Sequence, residues 1–270
     1  MHIILINLAR AAERREKMQR QFDALGLDFE ILEATDGRTL TEEQRALVDN
    51  RKRRRITPYP LSDNEIGCWI SHRRAMATML MRKLPMAVIL EDDAELTPDF
   101  PHVLAALEKL GRPFDVIDLH RNFRRDEIFA PCRPLLPDNQ LGRIGYTHMN
   151  LTAYVMSRKG AEKFLSQAPR FAHAVDKELH RYWANGLDIY GLEKPVAAQN
   201  DGGHSYIDED RLQNRPEDRP RYPGADALYW KIMRWWSKFS DSVGKRICFP
   251  GYVRKGQRTM GYESGVQTTR

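Results

Sequence analysis

At 270 residues the chain can form one large domain or two small ones around a substantial core. Its 41% hydrophobic and 30% charged residues exclude a disordered or fibrous protein. No apolar run approaches the length needed to cross a bilayer. The net charge of +6 is unevenly placed. Residues 211–270 hold 13 Lys/Arg against 5 Asp/Glu, whereas the first 210 hold 30 against 32. An anionic partner is therefore expected for the basic end. Cys68, Cys132 and Cys248 are odd in number, far apart and without a CxxC pair, which argues against a disulfide framework and a thiolate zinc site. A reducing compartment follows, and with it a cytoplasmic location. The opening residues 1–7 are too short an apolar run, and lack the basic flank, for a signal peptide.

Residues 2–8 form a continuous apolar run that predicts a first buried strand, broken at Asn7. Met18, Phe22 and Leu25 recur at helical spacing over 11–25, and Gly26 supplies a stop. Residues 29–34 read as a second strand ending at Thr35-Asp36-Gly37, so the chain opens as a strand–helix–strand unit. Neither GxGxxG nor GxxxxGK[ST] is present, which excludes a dinucleotide fingerprint and an ATP P-loop. A short helix is expected over 41–50. The basic run Arg51–Arg55 with Pro58 and Pro60 reads as a loop. Ser62 and Glu65 form a capping box that starts a long helix reaching about residue 83.

Residues 87–90 then run as four apolar positions into Glu91-Asp92-Asp93. A strand without polar alternation suits burial on both faces, as in a parallel sheet, and ligands of open α/β sheets bind at strand ends. Beyond it, a helix follows Pro98-Asp99, residues 114–119 and 151–156 read as strands, and 121–142 reads as a loop. Ser157 caps a further helix, 175–185 reads as helical, and 187–190 as a short strand. In the tail, Leu228, Ile232, Trp235, Trp236, Phe239, Val243 and Ile247 share one helical face, with basic residues between them. This is the pattern of an interfacial membrane helix, placed at about 227–247. The division expected is residues 1–210 as the main domain and 211–270 as a basic segment.

Alternation along a strand puts Glu91 and Asp93 on one face and Asp92 on the other. An acid-x-acid pair at a strand end suits Mg²⁺ or Mn²⁺, which take one or two carboxylates together with substrate phosphates. The bland alternative is a solvated acidic turn. Asn7, Thr35 and Asp36 stand at the ends of the first two strands, where a base and ribose would lie. Arg14 could pair with a pyrophosphate or be a solvated helix charge.

Four stretches together resemble glycosyltransferase family 25, the lipopolysaccharide and lipooligosaccharide glycosyltransferases. They are Ile6-Asn7-Leu8 with Arg14 or Arg15; Ala34-Thr35-Asp36-Gly37; Glu65-Ile66-Gly67-Cys68 followed by Ser71-His72; and Val88-Ile89-Leu90-Glu91-Asp92-Asp93-Ala94. Thr152-Ala153-Tyr154, Gly160-Ala161 and Val175-Asp176 extend the likeness, which covers roughly 1–207. The resemblance implies an α/β protein with a GT-A-like nucleotide-sugar-binding sheet flanked by helices, to which the sequence adds a C-terminal basic amphipathic helix. It implies transfer of a sugar, usually galactose, from a UDP-sugar to a lipopolysaccharide or lipooligosaccharide acceptor with inversion. The donor-site residues it implies are Asn7, Leu8, Arg14, Thr35, Asp36, Gly37, Ser71, His72 and Asp92. Glu91 and Asp93 are the expected ligands of Mn²⁺ or Mg²⁺, with Glu91 or Asp92 open as the companion of Asp93. His204 is suggested as a late ligand, against the alternative of a loop histidine.

Inversion needs a general base for the acceptor hydroxyl. Asp176 is the first choice, with Glu178 and Asp118 behind it, and an N-cap role is the alternative for Asp176. The expected partners are a UDP-sugar, a glycolipid or oligosaccharide acceptor, and an anionic membrane surface at the inner face of the cytoplasmic membrane. Nucleic acid is disfavoured, because the aromatic residues stand at helical spacing and not in an RNA-binding motif. The competing readings are a metal-dependent phosphohydrolase and a non-catalytic adaptor for membrane or nucleic acid. The first calls for more dispersed ligands, and the second leaves the acidic strand end unexplained.

Overall fold

A computed structural model describes residues 1–120, 128–145, 150–167, 169–199 and 220–262. Strand β1 (His2–Asn7) leads through helix α1 (Ala12–Leu25) to β2 (Glu30–Glu33). Both strands run parallel, with Ile4 opposite Glu30 and Asn7 opposite Glu33. A 3-10 turn (Gly37–Thr39), α2 (Glu42–Arg45) and α3 (Asn50–Ile56) precede the long helix α4 (Asp63–Met81). Both bonds of the α4 capping box form: Glu65 N–H donates to Ser62 Oγ at 3.2 Å, and Ser62 N–H to Glu65 Oε2 at 2.9 Å. Strand β3 (Met86–Glu91) then returns beside β1, again in parallel.

The remaining elements are β4 (Ala94–Leu96), α5 (Phe100–Glu108), β5 (Val116–Asp118), β6 (Phe129–Leu136), β7 (Asn139–Ile144), β8 (Ala153–Ser157), α6 (Arg158–Gln167), α7 (Val175–Leu179), α8 (Tyr182–Asn185), β9 (Ile189–Leu192), β10 (Ala197–Gln199) and α9 (Leu228–Met260). The main sheet has the order β2-β1-β3-β8-β5-β9-β7-β6, and β10 pairs with β4 in a separate ribbon. The sheet is mixed: β8 lies antiparallel to both β3 and β5. The fully apolar β3 is thus flanked by one parallel and one antiparallel neighbour, which corrects the expectation of a parallel sheet.

The strands do separate two cores. Ile4, Ile6, Ala87 and Ile89 join a cluster with Trp69, Met76 and Phe164 on one face. Ile3, Leu5, Val88 and Leu90 join another with Phe22, Phe100 and Leu104 on the opposite face. Each strand residue therefore has a helix layer to bury against, which is why these strands show no polar alternation.

Three local expectations are corrected. The basic run is helix α3, because Asp49 accepts a bond from Lys52 N–H at 2.9 Å and arginines are good helix formers whose charge suits a C-terminal turn. The stretch 175–185 is two short helices. Within 121–142, residues 129–136 and 139–144 form the β6–β7 hairpin. Pro131 and Pro134 sit at its register shifts on the sheet's edge strand, where a missing N–H breaks no ladder bond to another strand.

Helix α9 runs 33 residues, past the expected end at 247 and through Pro250. Its C-terminal half belongs to the core, with Met260 fully buried and Tyr252 packed on the first cluster. The anchor is Arg143, buried on β7. It donates to Ile189 O at 2.7 Å and Asp188 Oδ1 at 2.9 Å, and lies 3.8 Å from the Tyr190 ring centroid and 3.9 Å from that of Tyr252. Burial works against the ionised Asp188, but Lys255 and Arg143 hold its carboxyl below the usual range. Arg143→Ala is expected to cost about 3 kcal/mol, since it strips a guanidinium from a half-buried carboxylate and two rings. Urea unfolding measures it, and a loss below about 1 kcal/mol would show that the helix is held elsewhere.

Candidate functional site

The C-terminal ends of β1, β2 and β3 open into one cleft, roughly 640 Å³ including the space continuous with solvent. Its lining includes Leu8, Arg14, Thr35, Gly37, Ser71, His72, Glu91, Asp92 and Asp93, together with Asn64 and Cys68. A neighbouring recess is lined by Arg10, Asp36, Gln44 and Arg74. Most of the residues expected at a donor site are thus brought together, although they come from four separate stretches of chain.

The three acids diverge because β3 ends at Glu91 and the chain turns. Glu91 points to α4, where His72 Nε2 lies 3.0 Å and Cys68 Sγ 3.7 Å from its Oε1. Burial would raise this carboxyl, yet the bonds from His72 and Cys68 hold it below the ordinary value. An ionised Glu91 can only accept, so His72 Nε2–H donates to it and Nδ1 accepts from the Tyr154 hydroxyl at 3.0 Å. Burial, reinforced by Glu91, pushes the Cys68 thiol well up, so it acts as a neutral donor.

Asp92 turns toward β1 and α1. It accepts from Asn7 Nδ2 at 2.8 Å and pairs with Arg14 at 3.0 Å. Burial raises its carboxyl even so. Asn7 also donates to Ala11 O at 3.2 Å, so both its amide protons are spent inside the protein. Asp93 accepts from Gln199 Nε2 at 3.0 Å through Oδ2, while its buried Oδ1 has no hydrogen-bond partner among the described residues. Burial first, then Glu91, pushes the Asp93 carboxyl up to about 7.

The far wall is a backbone contact. A Cβ on Gly67 would lie 2.5 Å from Thr35 O, and one on Gly37 would lie 2.6 Å from the carbonyl carbon of Asp63. Ser71 completes the join, accepting from Thr35 N–H at 2.8 Å and donating to Gly67 O at 2.7 Å. Asp36 caps the 3-10 turn and pairs with Arg10 at 2.8 Å; burial raises its carboxyl, but Arg10 and Arg38 bring it below the ordinary value.

Asp176 is not part of the cleft lining. It stands second in α7, beside α4, and its Oδ1 accepts from Lys177 N–H at 2.7 Å. The N-cap position belongs to Ala174. Burial raises Asp176 to about 6, opposed by the Lys177 N–H and by His180, with Glu91 and Glu65 adding to the rise. Of the two reserve acids, Glu178 is bound to His173, and Asp118 to His180 Nε2 at 2.8 Å. His204 lies outside the described residues.

Cys68, His72 and Glu91 place one ligand atom each within 4.8 Å of one another. The donor chemistry divides the cleft. Cys68 and His72 already serve Glu91, whereas Asp93 offers an oxygen with no partner and a carboxyl that needs positive charge nearby to ionise. The carboxylates therefore fit a hard divalent cation. Sequence reasoning passed over Gln199 and the Cys68–Glu91 bond. Position 199 gives no local signal, but Cys68, five residues after Asp63, faces the strand end once α4 is placed.

The model of glycosyltransferase family 25 (LPS biosynthesis protein) matches residues 1–179. The chain is 32% identical over 263 residues to a glycosyltransferase 25 family member of Anopheles gambiae, a match covering 84% of this chain and 42% of that protein. It is 29% identical over 180 residues to procollagen galactosyltransferase 1-A of Xenopus laevis, covering 62% and 28%. It is 32% identical over 273 residues to the probable inactive glycosyltransferase 25 family member 3 of Bos taurus, covering 92% and 44%. The chain spans less than half the length of these relatives.

An acid raised from about 4 in the unfolded chain to about 7 in the fold keeps its proton between those values only when folded. Its stabilising effect is complete below the lower value and is lost as pH rises through the upper one. In chelator, Asp93→Asn should therefore melt above wild type at pH 8, with the gap closing toward pH 4. Thermal unfolding across pH tests this; a variant less stable than wild type at pH 8 would contradict it.

Proposed function

The chain belongs to glycosyltransferase family 25, and from that premise we propose that it transfers a hexose, galactose first among candidates, from a UDP-sugar to a glycolipid or oligosaccharide hydroxyl with inversion. The proposal includes a GT-A-like role for the sheet and a cytoplasmic site of action. The observation that carries it is the exit of β3, where three carboxylates crowd one cleft and Asp93 keeps a buried oxygen without a hydrogen-bond partner among the described residues. Family membership alone does not decide activity, since one relative bears the name of a probable inactive member. Galactose is supported by the name of the Xenopus relative, and a lipopolysaccharide-type acceptor by the description of the family.

In this reading Glu91 and Asp93 hold Mn²⁺ or Mg²⁺, which when bound neutralises the charge growing on a departing diphosphate. Asp92 fixes Arg14 at the cleft wall, where its guanidinium faces the phosphates. Thr35, Asp36 and Gly37 form the wall on which the nucleoside rests. Asp176 takes the acceptor proton as the acceptor oxygen bonds to the anomeric carbon and the bond to the diphosphate oxygen breaks, its electron pair leaving with UDP. A base at about 6 is ionised at neutral pH and still strong enough for this transfer.

Thermal shift with UDP and ADP, with and without Mn²⁺, is the direct test. UDP should stabilise wild type only when Mn²⁺ is present, and Asp93→Asn should abolish the effect. Asp176→Asn should lower UDP-galactose-dependent transfer by about 100-fold while that stabilisation survives. Near-normal turnover by Asp176→Asn would remove it as the base. Absence of any UDP response would remove the transferase reading.

A further inference from the structure

Helix α9 presents its apolar stripe to the outside. Leu228, Ile232, Trp235, Trp236, Phe239 and Ile247 fall on one side of the helix at its 3.6-residue period and are all exposed, Trp235 by 58% and Trp236 by 55%. The opposite face meets the domain through polar pins. Arg181 pairs with Asp241 at 2.7 Å. Gly244 lies against the Trp183 ring, and the Tyr182 hydroxyl donates to Lys245 O at 3.1 Å. A helix whose stripe served the domain core would be turned the other way.

Charge says what fits the stripe. Asp241 is the one acidic residue in the sequence of α9, and it is turned inward onto Arg181. Lys231, Lys238 and Arg246 are exposed beside or within the apolar stripe. The basic helix α3 packs on the same end of α9. Arg54 lies 4.9 Å from the Trp230 ring centroid, the Tyr222 hydroxyl donates to Asn50 Oδ1 at 2.6 Å, and Arg51 and Lys52 remain exposed. Two basic segments about 180 residues apart in sequence thus pack against each other through the half-buried Trp230, at the end of α9 that carries the exposed tryptophans.

We infer that this face of α9, with α3 beside it, docks on an anionic lipid bilayer surface, with the aromatic residues at the interface and the lysines and arginines against lipid phosphates. A second copy of the chain is disfavoured, because apposing two such faces would bring like charges together. A single-stranded nucleic acid is disfavoured by the rings themselves: Trp235 and Phe239 stack on each other at 5.4 Å, with Trp236 edge-on to both, so the faces bases would use are shared among the side chains. The anchor Arg181 lies just beyond α7, the helix that carries Asp176.

The test is sedimentation of the full 270-residue chain with phosphatidylglycerol–phosphatidylcholine vesicles and with phosphatidylcholine alone, alongside light scattering of the free protein. Wild type should pellet with the anionic vesicles and be released by salt. The double variant Trp235→Glu, Trp236→Glu should weaken that binding by about tenfold or more, with an unchanged unfolding midpoint because both rings already face solvent. Failure of wild type to pellet, or equal pelleting by the variant, would overturn the inference. A wild-type dimer that the variant dissolves, without lipid binding by either, would assign the face to a second copy instead.

Discussion

Three carboxyl groups at the end of one strand crowd one another, and much of the surrounding structure keeps them apart. Each acid is claimed by a different element. Helix α4 holds Glu91 through His72 and Cys68, β1 and α1 hold Asp92 through Asn7 and Arg14, and β10 holds Asp93 through Gln199. The division leaves unequal acids. Glu91 is kept ionised by its donors, whereas Asp93, with a single amide donor and Glu91 nearby, keeps its proton to about 7. This inequality follows from the fold, since β3 is buried on both faces and delivers its last residues from a dry core into the inner end of the cleft.

The cleft keeps its width because its opposite wall is backbone against backbone. Gly67 on α4 meets the Thr35 carbonyl, Gly37 meets the first turn of α4, and Ser71 ties the two segments by one accepted and one donated bond. The same helix therefore does two jobs. Its N-terminal half fixes the loop after β2, and His72, one residue past Ser71, orients Glu91. A movement of α4 along its axis would disturb both walls at once, which explains why a capping box at Ser62 and Glu65 matters to a site that neither residue lines.

What the sequence made legible were features with local causes. The unbroken apolar runs of β1 and β3 disclosed strands buried on both faces and the Ser62–Glu65 pair disclosed the start of α4, whereas the alternation that put Glu91 and Asp93 on one face fails because the strand ends at Glu91 and the chain turns. What stayed hidden depended on distant chain. The prolines of β6 read as loop because nothing nearby announces an edge strand, and the basic run 51–55 reads as solvated loop because the rings that Arg54 meets, Tyr222 and Trp230, lie about 170 residues on. Gln199 reaches Asp93 only because β10 pairs with β4. Asn7, expected beside a nucleoside, is spent on Asp92, since the strand end it occupies is covered by α1.

The inequality between Glu91 and Asp93 has a consequence for the proposed cation. A divalent ion approaching the cleft would meet one carboxylate already charged and one that burial and Glu91 keep protonated up to about 7, so below that pH binding would expel a proton. The fold thus couples affinity to acidity. Below about 7 the second ligand is closed by its proton, and above it the pair is open but mutually repulsive until the ion arrives. On the proposed reading, the Asp93 oxygen that has no partner among the described residues is the one left for that ion. A site meant to stay empty would gain by giving that oxygen a donor, as Asn7 and Arg14 do for Asp92, whereas a site meant to be filled keeps it for the ion.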